Sequence, residues 1–478
     1  MAIDTKLEYI KKLFEYRKTK TKRNNLNLFF ISLLLYKLFL FIFILFQLNL
    51  NNNKKPKDLN EYDLIMTKQL NFNIYKKINN KINIGIYTFR LKNGGRARVT
   101  ALLINYLYKI KIFNINLFTV LNKEDDEYYI PKEVKREIIR NNLIINIRKK
   151  KLDILIYELE NLEEMHLLNN LKNLKIIYYM HASSFDWIYY NYSFFKSLYK
   201  EYKNSTYIVS IVPFDNDLLH KKWGIKSILM NNFITYNYNY IIQSKLVNKK
   251  ILMLGRGNDV KKRFQKGILS MEYIIQEINN CELSIISDLK YINNLLNLVN
   301  NLKLGKNIKF LGYISYPESY LPKYSLNLFP SITEAFPMVL TETKLYSIPS
   351  ILLGLDYILL SKKGTVIIYD DSPESLSIEA IKLLTNYNLR QILGKEGRKS
   401  MKKYNNNLLL LKWNKLILSV FNGYNYFLEL IKKDEKMPNK EIEIIINNQI
   451  KLLKRRKIKF NNITINKFEN FSYLENLN

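Results

Sequence analysis

The chain has 478 residues, which corresponds to about three average domains. Hydrophobic residues make up 47% and charged residues 24%, a balance that excludes a disordered or collagen-like chain. One cysteine, Cys281, and three histidines, His166, His181 and His220, exclude an intramolecular disulfide and a conventional Cys/His zinc site.

The chain is strongly basic, since Lys and Arg exceed Asp and Glu by 75 − 42 = +33. An excess of this size occurs in proteins that bind nucleic acid or anionic membranes. Here it is mostly lysine and is spread along the chain, without a stripe of Arg and aromatic residues and without a zinc-finger or RNP-like motif. We interpret the charge as solvated surface and expect no nucleic-acid partner.

One segment near the N-terminus is apolar and long enough to cross a bilayer. Residues 28–48 form a 21-residue stretch in which the residues other than Leu, Ile and Phe are Ser32, Tyr36, Lys37 and Gln47. Burying Lys37 costs roughly 2.5 to 3.5 kcal/mol, whereas the Leu, Ile and Phe residues together contribute about −5 to −10 kcal/mol. We predict a transmembrane helix, with a long buried core helix as the alternative.

The flanking charges predict the orientation of this helix. The segment before it is rich in basic residues, and acidic residues are present in the segment after it. No small-residue pattern of a signal-peptide cleavage site follows the helix. We expect a cytosolic basic tail at 1–27, a signal anchor at 28–48 and a stem at 49–80. The protein would then be a single-pass type II membrane protein of the ER or Golgi, with the remaining chain in the lumen.

From residue 81, short apolar runs alternate with helix-like stretches, a pattern typical of parallel sheets covered by helices on both faces. The first series predicts strands at Ile82–Phe89, Ile115–Leu121, Leu152–Ile156, Ile176–Met180 and Tyr207–Val212. The second predicts strands at Ile251–Leu254, Leu283–Ile286, Ile308–Leu311, Leu326–Phe329, Ser350–Leu353 and Val366–Tyr369. Ser372 and Pro373 predict the N-cap and first residue of a helix that runs through Leu384.

The fold class is therefore α/β, with two Rossmann-like, doubly wound domains at 81–240 and 241–407. Residues 408–478 would form a final helix and a tail. Ligands of such folds bind at the carboxyl ends of the strands, so we expect the functional site in the cleft between the two domains.

The stretch 331–342 carries the strongest indication of chemistry. It follows a predicted strand, and Pro337 is expected to open a helix because its fixed φ is helical and the residue before it is forced to be extended. Glu334 then precedes the helix, while Glu342 lies about 7.5 Å along its axis. Free amides at a helix N-terminus between two carboxylates suit the phosphates of a ligand.

Positive side chains follow the first strand of the second series. Gly255-Arg256 ends this strand, and the next basic residues are Lys261, Lys262, Arg263 and Lys266. An Arg fork with one Lys can neutralise a leaving diphosphate without a metal ion. Lys262 and Lys266 both fit the position of that lysine, and we prefer Lys262.

Together these motifs resemble a family-four glycosyltransferase, a retaining, nucleotide-sugar-dependent group with the two-domain GT-B fold, over roughly residues 83–421. The matching features, in the family's order, are Gly94-Gly95-Arg96-Ala97-Arg98, His181, Gly255-Arg256 with a downstream Lys, Gly312-Tyr313 and the pair Glu334 and Glu342. The sequence departs from the family at Ala97, where Glu is frequent, and at Ala335, where Gly is frequent. Residues 408–421 with Trp413 match the family's final helix, which crosses back to the first domain.

The resemblance implies hexosyl or N-acetylhexosaminyl transfer from a UDP- or GDP-sugar to a hydroxyl of a glycan, lipid or protein, without a metal or cofactor. The residues implied as catalytic are Glu334, Arg256, Lys262 and His181. Those implied for donor binding are Gly94, Gly95, Lys266, Gly312, Phe336, Pro337, Met338, Val339 and Glu342, with Glu342 on the ribose hydroxyls.

Other interpretations stay open at this point. The second hypothesis is a catalytically inactive relative that binds glycans or serves as a subunit of a membrane complex, and the third is a basic protein that binds nucleic acid or anionic lipid. His181 at a strand end also fits a structural role, and Gly94-Gly95 also fits a simple strand-to-helix turn.

Overall fold

The computed structural model describes residues 81–432 with short gaps, and four residues beyond them. The gaps are 93, 141–142, 191, 212, 235–240, 256–259, 289–291, 315–316 and 358–361, and the four residues are 444–445 and 447–448. The predicted tail, transmembrane anchor and stem at 1–80 lie outside the described residues. Among the residues that are described, no helix has the length and apolar character needed to cross a bilayer.

The first domain is a parallel sheet of seven strands in the order β3-β2-β1-β4-β5-β6-β7. The strands are β1 (Ile82–Thr88), β2 (Phe113–Thr119), β3 (Lys135–Ile138), β4 (Ile154–Tyr157), β5 (Lys175–Tyr179), β6 (Tyr207–Ser210) and β7 (Ser227–Leu229). The helices are α1 (Gly95–Tyr108), α2 (Leu143–Lys149), α3 (Leu162–Asn169), α4 (Ser184–Tyr190), α5 (Tyr192–Asn204) and α6 (Pro213–Trp223).

The second domain is a parallel sheet of six strands in the order β10-β9-β8-β11-β12-β13. The strands are β8 (Lys250–Leu254), β9 (Glu282–Ile286), β10 (Ile308–Phe310), β11 (Leu326–Phe329), β12 (Ser350–Leu353) and β13 (Thr365–Ile368). Its helices are α7 (Phe264–Glu277), α8 (Asn293–Asn301), α9 (Met338–Leu345), α10 (Pro373–Thr385) and α11 (Tyr387–Ser400). Two further helices, α12 (Asn406–Asn422) and α13 (Tyr424–Lys432), follow this domain in the chain. Short 3₁₀ turns lie at Val260–Lys262, Pro317–Ser319, Leu321–Lys323 and Met401–Tyr404.

The fold class predicted from the sequence is confirmed by these two parallel, Rossmann-like sheets. All eleven predicted strands are present, with ends that differ by a few residues at most. Pro373 opens α10, and the Oγ of Ser372 accepts a hydrogen bond from the Ser375 amide at 3.1 Å, as the capping pattern predicts.

Two edge strands of the first sheet, β3 and β7, were not predicted. Strand β3 reads Lys-Arg-Glu-Ile and is largely solvent-facing, so it lacks the apolar run of a buried strand. Strand β7 has three residues, which is too short for any periodicity to appear.

The central strands are mostly apolar because helices cover both faces of each sheet. All four residues of β4 are buried, and so are all four of β11. In the second sheet, Leu326 of β11 pairs with Ile251 of β8, and Asn327 pairs with Ser350 of β12. This register brings the carboxyl ends of β8, β11 and β12 side by side, where the site residues follow them.

Helix α12, which follows the second sheet in the chain, packs on the first domain. Trp413 is fully buried, and its ring lies 5.0 Å from that of Tyr179 in β5. The Asn406 side-chain amide donates to the Ile234 carbonyl at 2.8 Å and to the Tyr106 hydroxyl at 3.0 Å. The chain therefore crosses between the domains a second time at this helix.

Candidate active site

The loop between β11 and α9 is fixed by hydrogen bonds to the ends of neighbouring strands. The hydroxyl of Tyr357, which follows β12, donates to the carbonyl of Ser331 at 2.6 Å. The amide of Ile332 donates to the carbonyl of Lys261, which follows β8, at 3.1 Å. These contacts hold the backbone that carries Glu334 in a defined position.

Helix α9 begins at Met338, so the predicted start at Pro337 is wrong by one residue. Pro337 has a helical φ of −75° but a ψ of 89°, which makes it the N-cap. Its carbonyl accepts from the amides of Leu340 at 3.0 Å and Thr341 at 3.3 Å. The amides of Met338 and Val339 therefore have no acceptor within the helix and point out of its positive end.

Glu334 forms an ion pair with Lys262 directly in front of this helix. The ammonium of Lys262 contacts Oε1 of Glu334, and both side chains are mostly shielded from solvent. The aliphatic part of Lys262 runs over Gly255, where an added Cβ would lie 3.2 Å from Cγ of the lysine. Glycine at the end of β8 thus leaves room for the lysine to reach the carboxylate.

The other basic residues of this segment point to different partners. The ammonium of Lys261 lies 2.9 Å from both carboxylate oxygens of Asp186 in the first domain, and Arg263 lies 2.7 Å from Asp371. The hydrogen bond from Tyr273 lowers the pKa of the Glu374 carboxyl, and the nearby charge of Lys266 lowers it a little further. Of the two lysines left open by the sequence, Lys262 is the one placed against Glu334.

Glu342 is held by an arginine of the opposite domain. One terminal guanidinium nitrogen of Arg98, in the first turn of α1, contacts Oε1 of Glu342 in α9. The side chain of Glu342 is 3% exposed and that of Arg98 is 17% exposed, so the pair is largely out of water. The carboxylate that is predicted to bind the ribose therefore forms an ion pair with an arginine in this structure.

The N-termini of α1 and α9 approach each other across the cleft. A Cβ on Gly95, the first residue of α1, would lie 3.3 Å from Cγ of Met338, the first residue of α9. Gly94 before it has a φ of +94°, a conformation that side chains other than glycine rarely adopt. Both predicted glycines thus line the cleft, and the positive ends of two helices meet there.

His181 contacts a carboxylate of its own domain. Its Nε2 lies 3.5 Å from Oε1 of Glu158, which follows β4, and its side chain is only 3% exposed. The second oxygen of Glu158 accepts from the Thr100 hydroxyl at 2.7 Å. The buried ring suits a structural role as well as a contact with a ligand.

Two further predicted residues are Gly312 and Arg256. Gly312 has a φ of +75°, and its carbonyl accepts from the amide of Ser287, which follows β9, at 3.1 Å. Arg256 lies outside the described residues, so its predicted role stays a prediction.

Asp356 is a site residue that the sequence did not single out. It follows β12, is fully buried, and its Oδ2 accepts from the hydroxyls of Thr333 at 2.7 Å and Ser183 at 2.6 Å. Its Oδ1 lies 3.4 Å from the amide of Glu334. The sequence shows that Asp356 is a polar residue shortly after a predicted strand. It does not show that Asp356 contacts Thr333 and Ser183, because both are distant from it in sequence.

The site therefore combines two acids, two cations and two helix N-termini at one cleft. Each acid is neutralised by one cation, so an anionic ligand would meet cations and amides as soon as it displaced a carboxylate from them. In the part of the chain that the structure describes, no group of three or more His, Cys, Asp or Glu residues is arranged to hold a metal ion.

Comparison with known proteins finds a family match in the second domain. Residues 241–400 match the family model described as Glycosyl transferases group 1. A curated relative, an uncharacterised glycosyltransferase of Methanocaldococcus jannaschii, is 29% identical over 167 residues, which cover 34% of this chain and 44% of the relative. The chain thus matches less than half the length of that relative.

Solved structures resemble both domains together. Sucrose-phosphate synthase from Thermosynechococcus elongatus has a TM-score of 0.60 at 15% identity, covering 72% of this chain and 100% of its own. The Anabaena protein HepE, solved with UDP and glucose, has a TM-score of 0.58 at 12% identity, covering 71% and 99%. At these identities the likeness shows the fold, which is the two-domain GT-B arrangement predicted from the sequence.

Proposed function

We propose that this chain, which carries a Glycosyl transferases group 1 domain at residues 241–400, is a glycosyltransferase that uses a nucleoside-diphosphate sugar. The observation that carries the proposal is the pairing of Glu334 with Lys262 in front of the first turn of α9. A carboxylate, an ammonium and free helix amides at one point match the hydroxyls, phosphates and charge of such a donor.

In the proposed complex the diphosphate lies at the N-terminus of α9. The amides of Met338 and Val339 would donate to its oxygens, and Lys262 would leave Glu334 to neutralise the charge that develops on the leaving phosphate. Glu334 would then be free to accept hydrogen bonds from the sugar hydroxyls. Arg256, by resemblance, would supply the second cation.

The proposed reaction retains the configuration at the anomeric carbon and needs no metal ion. The bond between the anomeric carbon and the phosphate oxygen breaks while the acceptor oxygen bonds to the same face of the sugar. The acceptor's proton passes to the departing phosphate, which makes a protein base unnecessary at that face. Catalysis then consists of positioning and electrostatic stabilisation.

The proposed donor is a UDP- or GDP-linked hexose or N-acetylhexosamine, and the acceptor a hydroxyl of a glycan, lipid or protein. Structural neighbours support a nucleotide donor, because HepE was solved with UDP and glucose and Staphylococcus aureus TarM with UDP.

We further propose that residues 28–48 anchor the enzyme as a type II protein of the ER or Golgi. The apolar composition of this segment supports the proposal. Extraction of membranes with alkaline carbonate tests it, since an anchored chain stays in the pellet and a variant lacking 28–48 moves to the supernatant. Recovery of the unaltered chain in the supernatant would contradict the anchor.

The transferase proposal is tested by screening UDP- and GDP-sugars against the full chain. We expect one donor to raise the melting temperature and to release its nucleoside diphosphate faster when an acceptor mixture is present. NMR of the product should show the same anomeric configuration as the donor. Binding without turnover would favour an inactive, glycan-binding relative, and the absence of any binding or turnover would refute the proposal.

A further inference from the structure

We infer that Arg98 is a ligand of the donor diphosphate contributed by the first domain, and that it exchanges Glu342 for the diphosphate when the donor binds. The inference rests on the proposed function and adds a residue to its site. It concerns a side chain whose role neither the sequence motif nor the family match assigns.

The guanidinium of Arg98 is held at the cleft between the two domains. Arg98 lies in the first turn of α1, and its guanidinium contacts Glu342 and lies 5.5 Å from the ring centroid of Tyr128. The contact with Glu342 crosses the cleft between the two domains, and both side chains are largely shielded from solvent. A cation in these surroundings needs an anionic partner.

The ribose of the donor would compete with Arg98 for the carboxylate of Glu342. If Glu342 holds the ribose hydroxyls of the donor, those hydroxyls compete with the guanidinium for the lone pairs of one carboxylate, of which Oε1 now contacts Arg98. The ion pair between Arg98 and Glu342 would then weaken. Weakening this ion pair without a replacement would be unfavourable because the guanidinium is mostly desolvated.

The donor diphosphate would be the new partner of Arg98. The diphosphate is the anion that the proposed donor brings to the first turn of α9, one helical turn before Glu342. Gly95, in the same turn of α1 as Arg98, already meets Met338 at that point. A guanidinium fork binds phosphate oxygens in pairs, so Arg98 can change from carboxylate to phosphate without leaving the cleft.

Arg98 would then join the two domains through the donor, since the remaining predicted phosphate ligands belong to the second domain. If Arg98 only held the two domains together in the absence of the donor, its substitution would change the affinity for every molecule that binds the donor site by the same factor. If Arg98 binds phosphate, its substitution changes the affinity only for molecules that carry phosphate.

The experiment compares a nucleoside with its diphosphate. The affinity of the full chain for UDP and GDP is measured by calorimetry, and for uridine and guanosine by NMR titration, in the unaltered protein and in Arg98→Gln. We expect the diphosphate of the preferred base to bind about tenfold more weakly or worse in the variant, about 1.4 kcal/mol. The nucleoside should bind equally well or more tightly, because its competitor for Glu342 is gone.

Two further variants control this comparison. Arg98→Lys keeps one charge but loses the fork, so we expect an intermediate loss for the diphosphate and a preserved melting temperature. Arg90→Gln removes one positive charge from the same domain, at a half-exposed ion pair with Glu124 of 3.9 Å, and should leave the ratio of the two affinities unchanged.

An equal change in the affinities for nucleoside and diphosphate, or none for the diphosphate, would overturn the inference while leaving the proposed function standing. No nucleotide binding by the unaltered protein would refute the proposed function itself, and with it this inference.

Discussion

The hydroxyl of Ser183 in the first domain donates a hydrogen bond of 2.6 Å to Oδ2 of Asp356 in the second. The same carboxyl oxygen accepts from Thr333, and the other lies 3.4 Å from the amide of Glu334. Burial raises the pKa of Asp356 well above its usual range, and the neighbouring Asp215 and Asp186 raise it further. One buried carboxyl group thus links the contact between the domains to the loop that carries Glu334.

The buried Asp215 gives the fold a measurable pH dependence. Its carboxyl accepts from the amide of Ser184 at 3.1 Å, and burial raises its pKa from 3.8 to about 7. The folded state therefore binds a proton that the unfolded chain releases, so this group's stabilisation is complete below about pH 4 and is lost as the pH rises through about 7. Asp215→Asn removes the titration while keeping the acceptor oxygen.

We expect urea unfolding to show that Asp215→Asn gains stability relative to the unaltered protein between pH 5 and pH 8, by a few kcal/mol. Asp125→Asn, at an exposed position, is the control and should show no such trend. A stability difference between Asp215→Asn and the unaltered protein that stays constant across this range would contradict the raised pKa.

Glu334→Gln should lower the rate of transfer by roughly a hundredfold or more while the melting temperature changes little. The amide keeps the shape of the side chain but loses the charge that positions Lys262 and accepts from the sugar. The rate is measured as release of nucleoside diphosphate at saturating donor. Glu272→Gln, exposed on α7, is the control, and full activity of Glu334→Gln would exclude the proposed role.

Glu342→Gln should weaken nucleoside binding by roughly tenfold, because a charge-assisted hydrogen bond to the ribose becomes a neutral one. Calorimetry with the preferred nucleoside diphosphate and NMR titration with the nucleoside measure the change. Both ligands carry the ribose, so binding of both should weaken. Unchanged affinity for the nucleoside would show that Glu342 does not contact the ribose.

Lys262→Gln should reduce the rate of transfer at least tenfold more than Lys266→Gln does. The structure places the ammonium of Lys262 on Glu334, whereas Lys266 lies near Glu374. Both variants remove one positive charge within five residues of each other, so each serves as the control for the other. The reverse order of effects would assign the diphosphate to Lys266.

The central strands and the local part of the site were predictable because each depends on short stretches of sequence. Strand β4 is a continuous apolar run, β11 is apolar except for Asn327, and Glu334 and Lys262 stand in motifs that follow β11 and β8. The contacts of Arg98 with Glu342 and of Ser183 with Asp356 join residues of different domains. Such contacts depend on how the two sheets face each other, which the spacing of residues within one chain segment does not encode.

The placement of α12 against the first domain limits how the cleft can open. The polypeptide passes from the first sheet to the second after β7 and comes back at α12, where Trp413 packs against Tyr179. Two connections between rigid domains permit rotation about the line that joins the two connections, but they resist wide separation of the domains. Opening of the cleft would then be a hinge rotation that parts Arg98 from Glu342 while the side with both connections stays together.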